Sequence, residues 1–295
     1  MKEPHPRESA QRCAFRAEVR ADPMLGTAFP AARLLLVEQP GPWGRAGLPE
    51  SHFDRRVAAD LERRVGAAGI RVEAIRRPGR TPDGARRRWA LVDARPGQES
   101  LRWSSFADET ELLELPLDGS AGRPDAEPIY LVCTHGKRDP CCALRGRPVA
   151  QALAAQRPGR VWECSHLGGD RFAANVLVLP AGLLYGRVRV EDVGSLAGAA
   201  DAGEVLGAQL RGRIGLAPVA QAALVFGYAH LDVRARDAVR VRSTSASTGG
   251  TARVTLDGPD GALEVVVRAE QVSASGLTCG NPRPNRFLAY RPSAQ

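Results

Sequence analysis

The chain has 295 residues, of which 43% are apolar, so it can bury a sizeable core and two or three domains are expected. No apolar run approaches the ~20 residues of a membrane helix, and the polar N-terminal segment lacks the apolar middle of a signal peptide. These features predict a soluble, cytoplasmic protein that does not interact with membranes.

The net charge of +8 comes almost entirely from arginine, since only Lys2 and Lys137 are lysines. The arginines are scattered, and their tightest groups have no interleaved aromatic side chains on which bases could stack. Nucleic-acid binding is therefore not favoured. A solvated arginine-rich surface is the simpler interpretation, and it is compatible with an acidic protein partner.

The first part of the chain has the pattern of alternating strands and helices. Residues 33–39 form an apolar run of strand length, and apolar residues recur at helical spacing over 53–65, with Ser51 as the predicted N-cap. Three more strands follow, and a short helix is expected from Asp108. We assign residues 1–124 to a first domain.

The same order of elements recurs after a linker rich in glycine, aspartate and proline. The strand "IYLVCTH" leads into a loop and a helix with Pro148 in its first turn, and the strand "VWECSH" follows. A hairpin and a glycine-spotted helix complete this second copy, which we place at residues 125–230 together with a further helix. Residues 231–295 are rich in strand patterns and are predicted to form a small β appendage.

A helix that crosses between two parallel strands, followed by an antiparallel hairpin and a last helix, is typical of a thioredoxin-like fold. The sequence therefore predicts an α/β protein with two thioredoxin-like units in tandem, the first without cysteine ligands. Each unit is expected to contain a mixed sheet of about four strands.

The six cysteines do not suggest a disulfide framework in a reducing compartment. Cys13 and Cys279 are far from the others in sequence, and we interpret each as a small buried apolar side chain. The remaining four fall within one short segment: Cys133, Cys141, Cys142 and Cys164.

Ligand-type side chains collect where the predicted strands of the second unit end. Cys133 ends one strand, Cys142 precedes the helix, and His166 ends the next strand, with Asp170 after "LGG". Because the carboxyl ends of neighbouring parallel strands lie side by side, Cys133 and His166 are expected to approach each other. Cys164 shares one face of its strand with His166, so it is an alternative ligand.

Several longer motifs resemble the sucrase/ferredoxin-like family: "CTHGKRDPCC", "WECSHLGGDRFAANVLVLP", "GLLYGR", "LLLVEQPGPWG" and "LTCG". The resemblance covers nearly the whole chain and implies a thioredoxin-like ferredoxin domain that carries a 2Fe–2S cluster and transfers electrons. It assigns Cys133 and Cys142 as the first ligand pair and His166 as the third ligand. The family has a second histidine at the position of Asp170, so the fourth ligand stays open between Asp170, Cys164 and Cys141.

Three further residues are candidates for roles around the cluster. His135 is a candidate hydrogen-bond donor, and Arg171 and Asn175 are candidates for hydrogen bonds to the "HLGGD" loop. A neutral donor near a cluster sulfur raises its reduction potential. Each of the three has a plainer interpretation as a loop or surface side chain.

Two other functions remain open from the residues alone. Cys133 and Cys142 could serve a thioredoxin-fold thiol enzyme, although their spacing differs from the CxxC of such enzymes. The same residues with His166 and Asp170 could hold zinc without redox activity.

The resemblance also brings in sucrose cleavage, an activity that the family's name takes from a plant relative. Glycoside hydrolysis needs paired carboxylates across a cleft, and the second unit offers no evident pair. We therefore predict a redox carrier rather than an enzyme, with a redox partner protein.

Overall fold

The computed structural model describes residues 10–79, 86–245 and 249–295. It has a mixed α/β architecture with one ten-stranded sheet and a separate four-stranded sheet. Residues 1–9, on which the prediction of a cytoplasmic location partly rests, lie outside the described residues. No helix within the described residues combines the length and apolar character that crossing a lipid bilayer requires.

The ten strands of the large sheet come from both predicted units, and their spatial order is β10-β9-β8-β6-β7-β2-β1-β3-β4-β5. In chain order they are β1 (Arg33–Glu38), β2 (Ile70–Arg76), β3 (Arg87–Asp93), β4 (Ser100–Phe106), β5 (Arg123–Pro124), β6 (Ile129–Cys133), β7 (Val161–Cys164), β8 (Val176–Leu179), β9 (Leu183–Tyr185) and β10 (Leu210–Arg213).

The two halves of this sheet repeat one strand order. In each half the first strand pairs in parallel with the second and antiparallel with the third, which pairs antiparallel with the fourth. The halves meet where β2 pairs antiparallel with β7, through Ile75 opposite Cys164 and Arg76 opposite Glu163. The pairing of β2 with β7 thus joins two five-stranded halves into one continuous sheet.

Five α-helices of the described residues accompany the two sheets. They are α1 (Cys13–Val19), α2 (Arg55–Ala67), α3 (Pro140–Gln156), α4 (Val193–Asp201) and α5 (Pro218–His230).

Two predicted helix starts were wrong. Helix α2 begins at Arg55 rather than after Ser51, because the Asp54 carboxylate accepts hydrogen bonds from the N–H groups of Arg56 and Val57. Ser51 instead donates its hydroxyl to Leu48 O.

The helix of the second half begins at Pro140, so Pro148 lies inside it rather than in its first turn. Asp139 is its N-cap and accepts from the N–H of Cys141. A proline suits the first turn of a helix because the missing N–H has no partner there. Pro140 therefore fills the role expected of Pro148. The helix predicted from Asp108 is a six-residue 3-10 helix (Glu109–Glu114) with a capping box.

Three apolar clusters form the core around the large sheet, and one of them contains residues from both halves. Leu36 and Ile75 of the first half share this cluster with Leu131 and Cys164 of the second. The rings of Trp103 and Trp162 stack within it, with centroids 5.3 Å apart. The two halves therefore bury a common apolar face in addition to sharing the β2–β7 strand pair.

The C-terminal segment forms the second sheet, which packs on α5. Leu256 and Val265 of this sheet lie in the same buried cluster as Leu224 and Tyr228 of α5. Its four antiparallel strands are β11 (Arg240–Thr244), β12 (Thr251–Gly258), β13 (Gly261–Ser275) and β14 (Pro284–Ala294).

Candidate metal centre

Three ligand-type side chains converge at the carboxyl ends of β6 and β7. Cys133 is the last residue of β6, and it lies in parallel register with Cys164, the last residue of β7. Cys142 is in the first turn of α3, and His166 follows β7 by two residues. Donor atoms of Cys133, Cys142 and His166 all lie within 4.8 Å of one another. The topology therefore places these three predicted residues together.

Asp170 lies beside this group, at the start of a 3-10 turn that ends at Phe172. Its Oδ1 is 3.3 Å from Cys142 Sγ and 3.2 Å from His166 Nδ1. Cys133, Cys142 and Asp170 are buried, whereas the His166 side chain keeps 21% of its surface exposed. We call Cys133, Cys142, His166 and Asp170 the strand-end site.

The members of the strand-end site shift one another's pKa values. A hydrogen bond from Cys142 lowers the pKa of the Cys133 thiol far below its usual value, against burial, and His166 acts in the same direction. The same bond, together with burial, raises the pKa of Cys142. Burial acts to lower the pKa of His166, but the hydrogen bond to Cys133 and the charge of Asp170 outweigh it and raise that pKa. Burial raises the pKa of Asp170. Binding of a cation here would therefore displace protons.

Two side chains, Arg211 and Asn175, stabilise the loop that ends at Asp170 by donating hydrogen bonds to its backbone carbonyls. Arg211 donates to Gly168 O at 2.9 Å and to Asn175 Oδ1 at 2.7 Å. Asn175 in turn donates to Gly169 O at 3.0 Å. Gly169 has a φ of 73°, and a Cβ there would lie 2.6 Å from Arg211 Nη2, so the arginine approaches the loop closely because this position is glycine.

Sequence reasoning did not identify Arg211 as part of this arrangement. Arg211 is 1% exposed. Its guanidinium also donates hydrogen bonds to two acceptors of Thr27, the backbone carbonyl oxygen and the hydroxyl oxygen. Burial lowers its pKa to about 9, and the charge of Arg171 adds to the effect. The sequence signal is weak, because Arg211 lies in the short segment "LRGR" beside a second arginine, in a chain rich in arginine.

Cys164, Asn175 and Arg171, the other candidates from the sequence, each have a different environment. Cys164 is fully buried in the apolar cluster shared by both halves, and burial raises its pKa strongly. Asn175 supports the loop as described. The guanidinium of Arg171 lies over the rings of Phe172 and Phe287, at 4.4 and 4.5 Å from their centroids.

His135 links the loop that follows β6 to the first half of the chain. Its Nε2 is 2.6 Å from Gly44 O, and its ring meets that of Trp43 edge to face, with centroids 5.9 Å apart. The "PGPWG" segment of the first half therefore packs against the "CTH" loop of the second. His135 is buried, and its imidazole joins the two segments through these two contacts.

Cys141 points away from the strand-end site into a second group of donors. Its Sγ is 3.6 Å from Cys13 Sγ and 3.4 Å from Cys279 Sγ. Asp139 completes this second group, whose donor atoms also lie within 4.8 Å of one another. The interpretation of Cys13 and Cys279 as isolated apolar side chains missed this convergence, because both are more than a hundred residues from Cys141 and only the tertiary structure joins them.

A basic cleft of about 180 Å³ opens beside His166. Arg45, Arg71 and Arg138 line it together with the imidazole. Arg45 and Arg138 are exposed, whereas Arg71 pairs with Glu73 and donates to His166 O at 2.7 Å. The least buried member of the strand-end site thus lies in positively charged surroundings.

Comparison with known proteins places the chain in a family. The family model described as sucrase/ferredoxin-like matches residues 24–212. Among solved structures, a thioredoxin-like [2Fe-2S] ferredoxin from Aquifex aeolicus is 21% identical, with 32% of this chain and 97% of that chain covered and a TM-score of 0.28. The wild-type form of the thioredoxin-like ferredoxin from that organism, solved at 1.5 Å, is 23% identical, with coverages of 29% and 97% and a TM-score of 0.26.

No curated protein matches the chain. The family match spans more than half of the sequence, including β1 to β9, most of β10 and every residue of the strand-end site. The chain therefore belongs to the sucrase/ferredoxin-like family.

Proposed function

We propose that this chain is an electron-transfer protein that carries a 2Fe–2S cluster, held by Cys133, Cys142, His166 and Asp170. The observation that carries the proposal is the convergence of two thiols and an imidazole in one buried group at the ends of two parallel strands. Sulfur and imidazole donors are the ligands of 2Fe–2S centres of mixed ligation.

The chemistry of the donor set fits such a cluster. His166 Nδ1 is buried and makes no hydrogen bond within the described residues, although Asp170 Oδ1 is 3.2 Å away, so a ligated ion would satisfy an orphaned polar atom. By formal counting, two thiolates, one neutral imidazole and one carboxylate around an oxidised core leave a charge of about −1. Four cysteines would leave about −2, and two cysteines with two histidines about 0. When bound, the cluster supplies one-electron redox chemistry at a potential between these two types.

The geometry supports His166 as the point of electron exit. Among the four ligands it alone keeps a sizeable exposed fraction, 21%, while the thiols and the carboxylate are covered by protein. Arg45 and Arg138 flank it in the basic cleft. We propose that an acidic surface of a redox partner docks there, because opposite charges speed and orient the encounter of electron-transfer proteins.

The repeated strand order supports the interpretation of the large sheet as two thioredoxin-like units in tandem, of which only the second carries ligands. In this proposal the units are residues 1–124 and 125–230, with 231–295 as the appendage. The first unit contributes the Trp43 loop that packs against His135. Six free cysteines suit a reducing location, and we propose the cytoplasm.

A single zinc ion at the strand-end site is the second candidate. It is favoured by one observation: Asp170 Oδ1 lies 3.3 Å from Cys142 Sγ and 3.2 Å from His166 Nδ1, so that four donors could share one ion. A thiol enzyme is less well supported, since Cys133 and Cys142 are 1% and 0% exposed and a substrate disulfide could not reach them.

The experiment that tests the proposal is anaerobic purification followed by iron, sulfide and zinc analysis. We expect about two iron and two sulfide per chain, with visible absorption that dithionite bleaches. Cys133→Ser should lose the iron, whereas Cys164→Ser should keep it. This pair is matched, because both cysteines are buried and lie opposite each other in neighbouring strands. A colourless protein, or iron that survives Cys133→Ser, would overturn the proposal. Zinc that is lost with Cys133→Ser would establish the second candidate.

A further inference from the structure

We propose that Cys13, Asp139, Cys141 and Cys279 bind a single zinc ion, at a second metal site independent of the strand-end site. We call these four residues the clamp site. The proposal rests on the convergence of three thiols and one carboxylate from three distant parts of the chain. It goes beyond the proposed electron transfer and does not require it.

The distances match those of ligands around one tetrahedral ion. With Zn–S bonds of ~2.3 Å, the sulfur atoms of a tetrahedral site lie about 3.8 Å apart, and sulfur and carboxylate oxygen about 3.6 Å apart. The three sulfur pairs of the clamp site are 3.6, 3.6 and 3.4 Å apart. Cys13 Sγ lies 3.6 Å from Asp139 Oδ2. The donors need to move by only a few tenths of an ångström.

The clamp site is closed and its donors are already oriented. Cys13, Asp139 and Cys141 are at most 1% exposed, and Cys279 is half-buried. The N–H of Cys13 donates to Cys279 Sγ at 3.5 Å. The N–H groups of Cys141 and Cys279 donate to Asp139 at 2.9 and 2.7 Å. Such hydrogen bonds hold ligands in place and are typical of the surroundings of metal sites.

Two features of the ligands favour a structural zinc ion. Four protein donors with no open position are the arrangement of structural zinc sites, and thiolates select soft cations over magnesium or calcium. Asp139 and Cys141 also lie at the N-terminus of α3, a 17-residue helix, where the positive end of the helix dipole favours negatively charged ligands. As zinc binds, each thiol that is still protonated releases its proton to solvent and a Zn–S bond forms, with no change in oxidation state.

The position of the clamp site indicates what the ion would do. It would tie together α1, the start of α3 and the loop between β13 and β14. Helix α1 packs against the turn that begins at Asp170, and the neighbouring residues Cys141 and Cys142 belong to different sites. The zinc ion would therefore fix α1 against the turn that carries Asp170, and it would fix the start of α3, the helix that supplies Cys142.

The test is zinc quantification by native mass spectrometry on the protein purified from zinc-containing medium. We expect one zinc per chain, and for Cys279→Ser a zinc occupancy that is lower by about tenfold or more. Cys133→Ser and Cys164→Ser should retain the zinc. Cys279 lies in a partly exposed loop, so its serine variant leaves the core intact, and far-ultraviolet circular dichroism verifies that it folds.

Cobalt substitution provides a second readout that does not depend on a clamp-site variant remaining stable. Co²⁺ added to the Cys133→Ser protein should give the intense visible bands of a tetrahedral thiolate site, and further substitution of Cys279 should remove them. The proposal is overturned by wild-type protein without zinc, by a zinc occupancy that is the same in Cys279→Ser as in the wild-type protein, or by a disulfide between two of the three cysteines in place of metal. Metal at the strand-end site is lost with Cys133→Ser, whereas zinc at the clamp site is lost with Cys279→Ser, so failure of one proposal is distinguishable from failure of the other.

Discussion

Among the side chains that are not proposed ligands, Arg211 should contribute most to the stability of the loop that ends at Asp170. In Arg211→Lys the charge is kept, but the planar fork that reaches three groups at once is lost. The acceptors Gly168 O, Asn175 Oδ1 and Thr27 O would compete for one ammonium group, and at least two would lose their donor. A buried acceptor without a partner costs about 1–3 kcal/mol, so the loss of two donors should lower the free energy of unfolding by about 2–6 kcal/mol.

The matched control is Arg213→Lys, two residues further along the same strand. Arg213 is also buried, but the described residues give its side chain a single ion-pair partner, Glu99, which a lysine can retain. We expect this substitution to cost about 1 kcal/mol or less. The assay is urea denaturation of the protein as purified, followed by circular dichroism, with the rate of bleaching of the visible bands in air as a second readout. Equal losses in the two variants, or a loss below about 1 kcal/mol in Arg211→Lys, would refute the assignment of Arg211 as the support of this loop.

Four further experiments address the two sites. Asp170→His should raise the reduction potential, because a neutral ligand replaces a charged one, whereas Asp170→Cys should change it less; voltammetry measures both, and equal potentials in all three proteins would exclude Asp170 as a ligand. Arg138→Glu should slow reduction by an acidic partner and weaken the salt dependence of the rate, measured by stopped flow, whereas the exposed Arg189→Glu, in a different part of the surface, should not. Asp139→Asn should reduce zinc occupancy in native mass spectra but leave α3 folded, since asparagine also caps helices; unchanged zinc would remove Asp139 from the clamp site. Zinc removal from the clamp site should shorten the lifetime of the visible bands in air, and an unchanged lifetime would contradict the role of the zinc ion in fixing α1 and the start of α3 next to the strand-end site.

Much of the strand-end site could be predicted because its signals are local. Cys133 ends one predicted strand and His166 ends the next, and parallel pairing of the two strands is sufficient to bring the two residues together. The supporting contacts could not be predicted in this way. Arg211 reaches the loop from the far edge of the sheet, and nothing in the sequence near it indicates which backbone carbonyls it will meet.

The clamp site and the joining of the two sheet halves depend on tertiary structure alone. Cys13 and Cys279 meet only after the N-terminal helix and the C-terminal hairpin pack against the same helix end. Likewise, the strand patterns of the two halves predict two sheets, but they do not predict that β2 pairs with β7. The sequence of an edge strand does not indicate which strand it will pair with. The two misplaced helix starts have a simpler cause, since Ser51 and Asp54 are both good N-caps and two prolines compete for one first turn.

The central claim, a 2Fe–2S cluster with one histidine ligand, is tested most directly by electron paramagnetic resonance of the dithionite-reduced protein with isotope-labelled histidine. We expect the low-temperature signal of a reduced 2Fe–2S centre, coupled to nitrogen from a single histidine and absent in His166→Ala. The claim would be contradicted by a protein that shows no such signal after anaerobic purification with iron, or by a signal without nitrogen coupling.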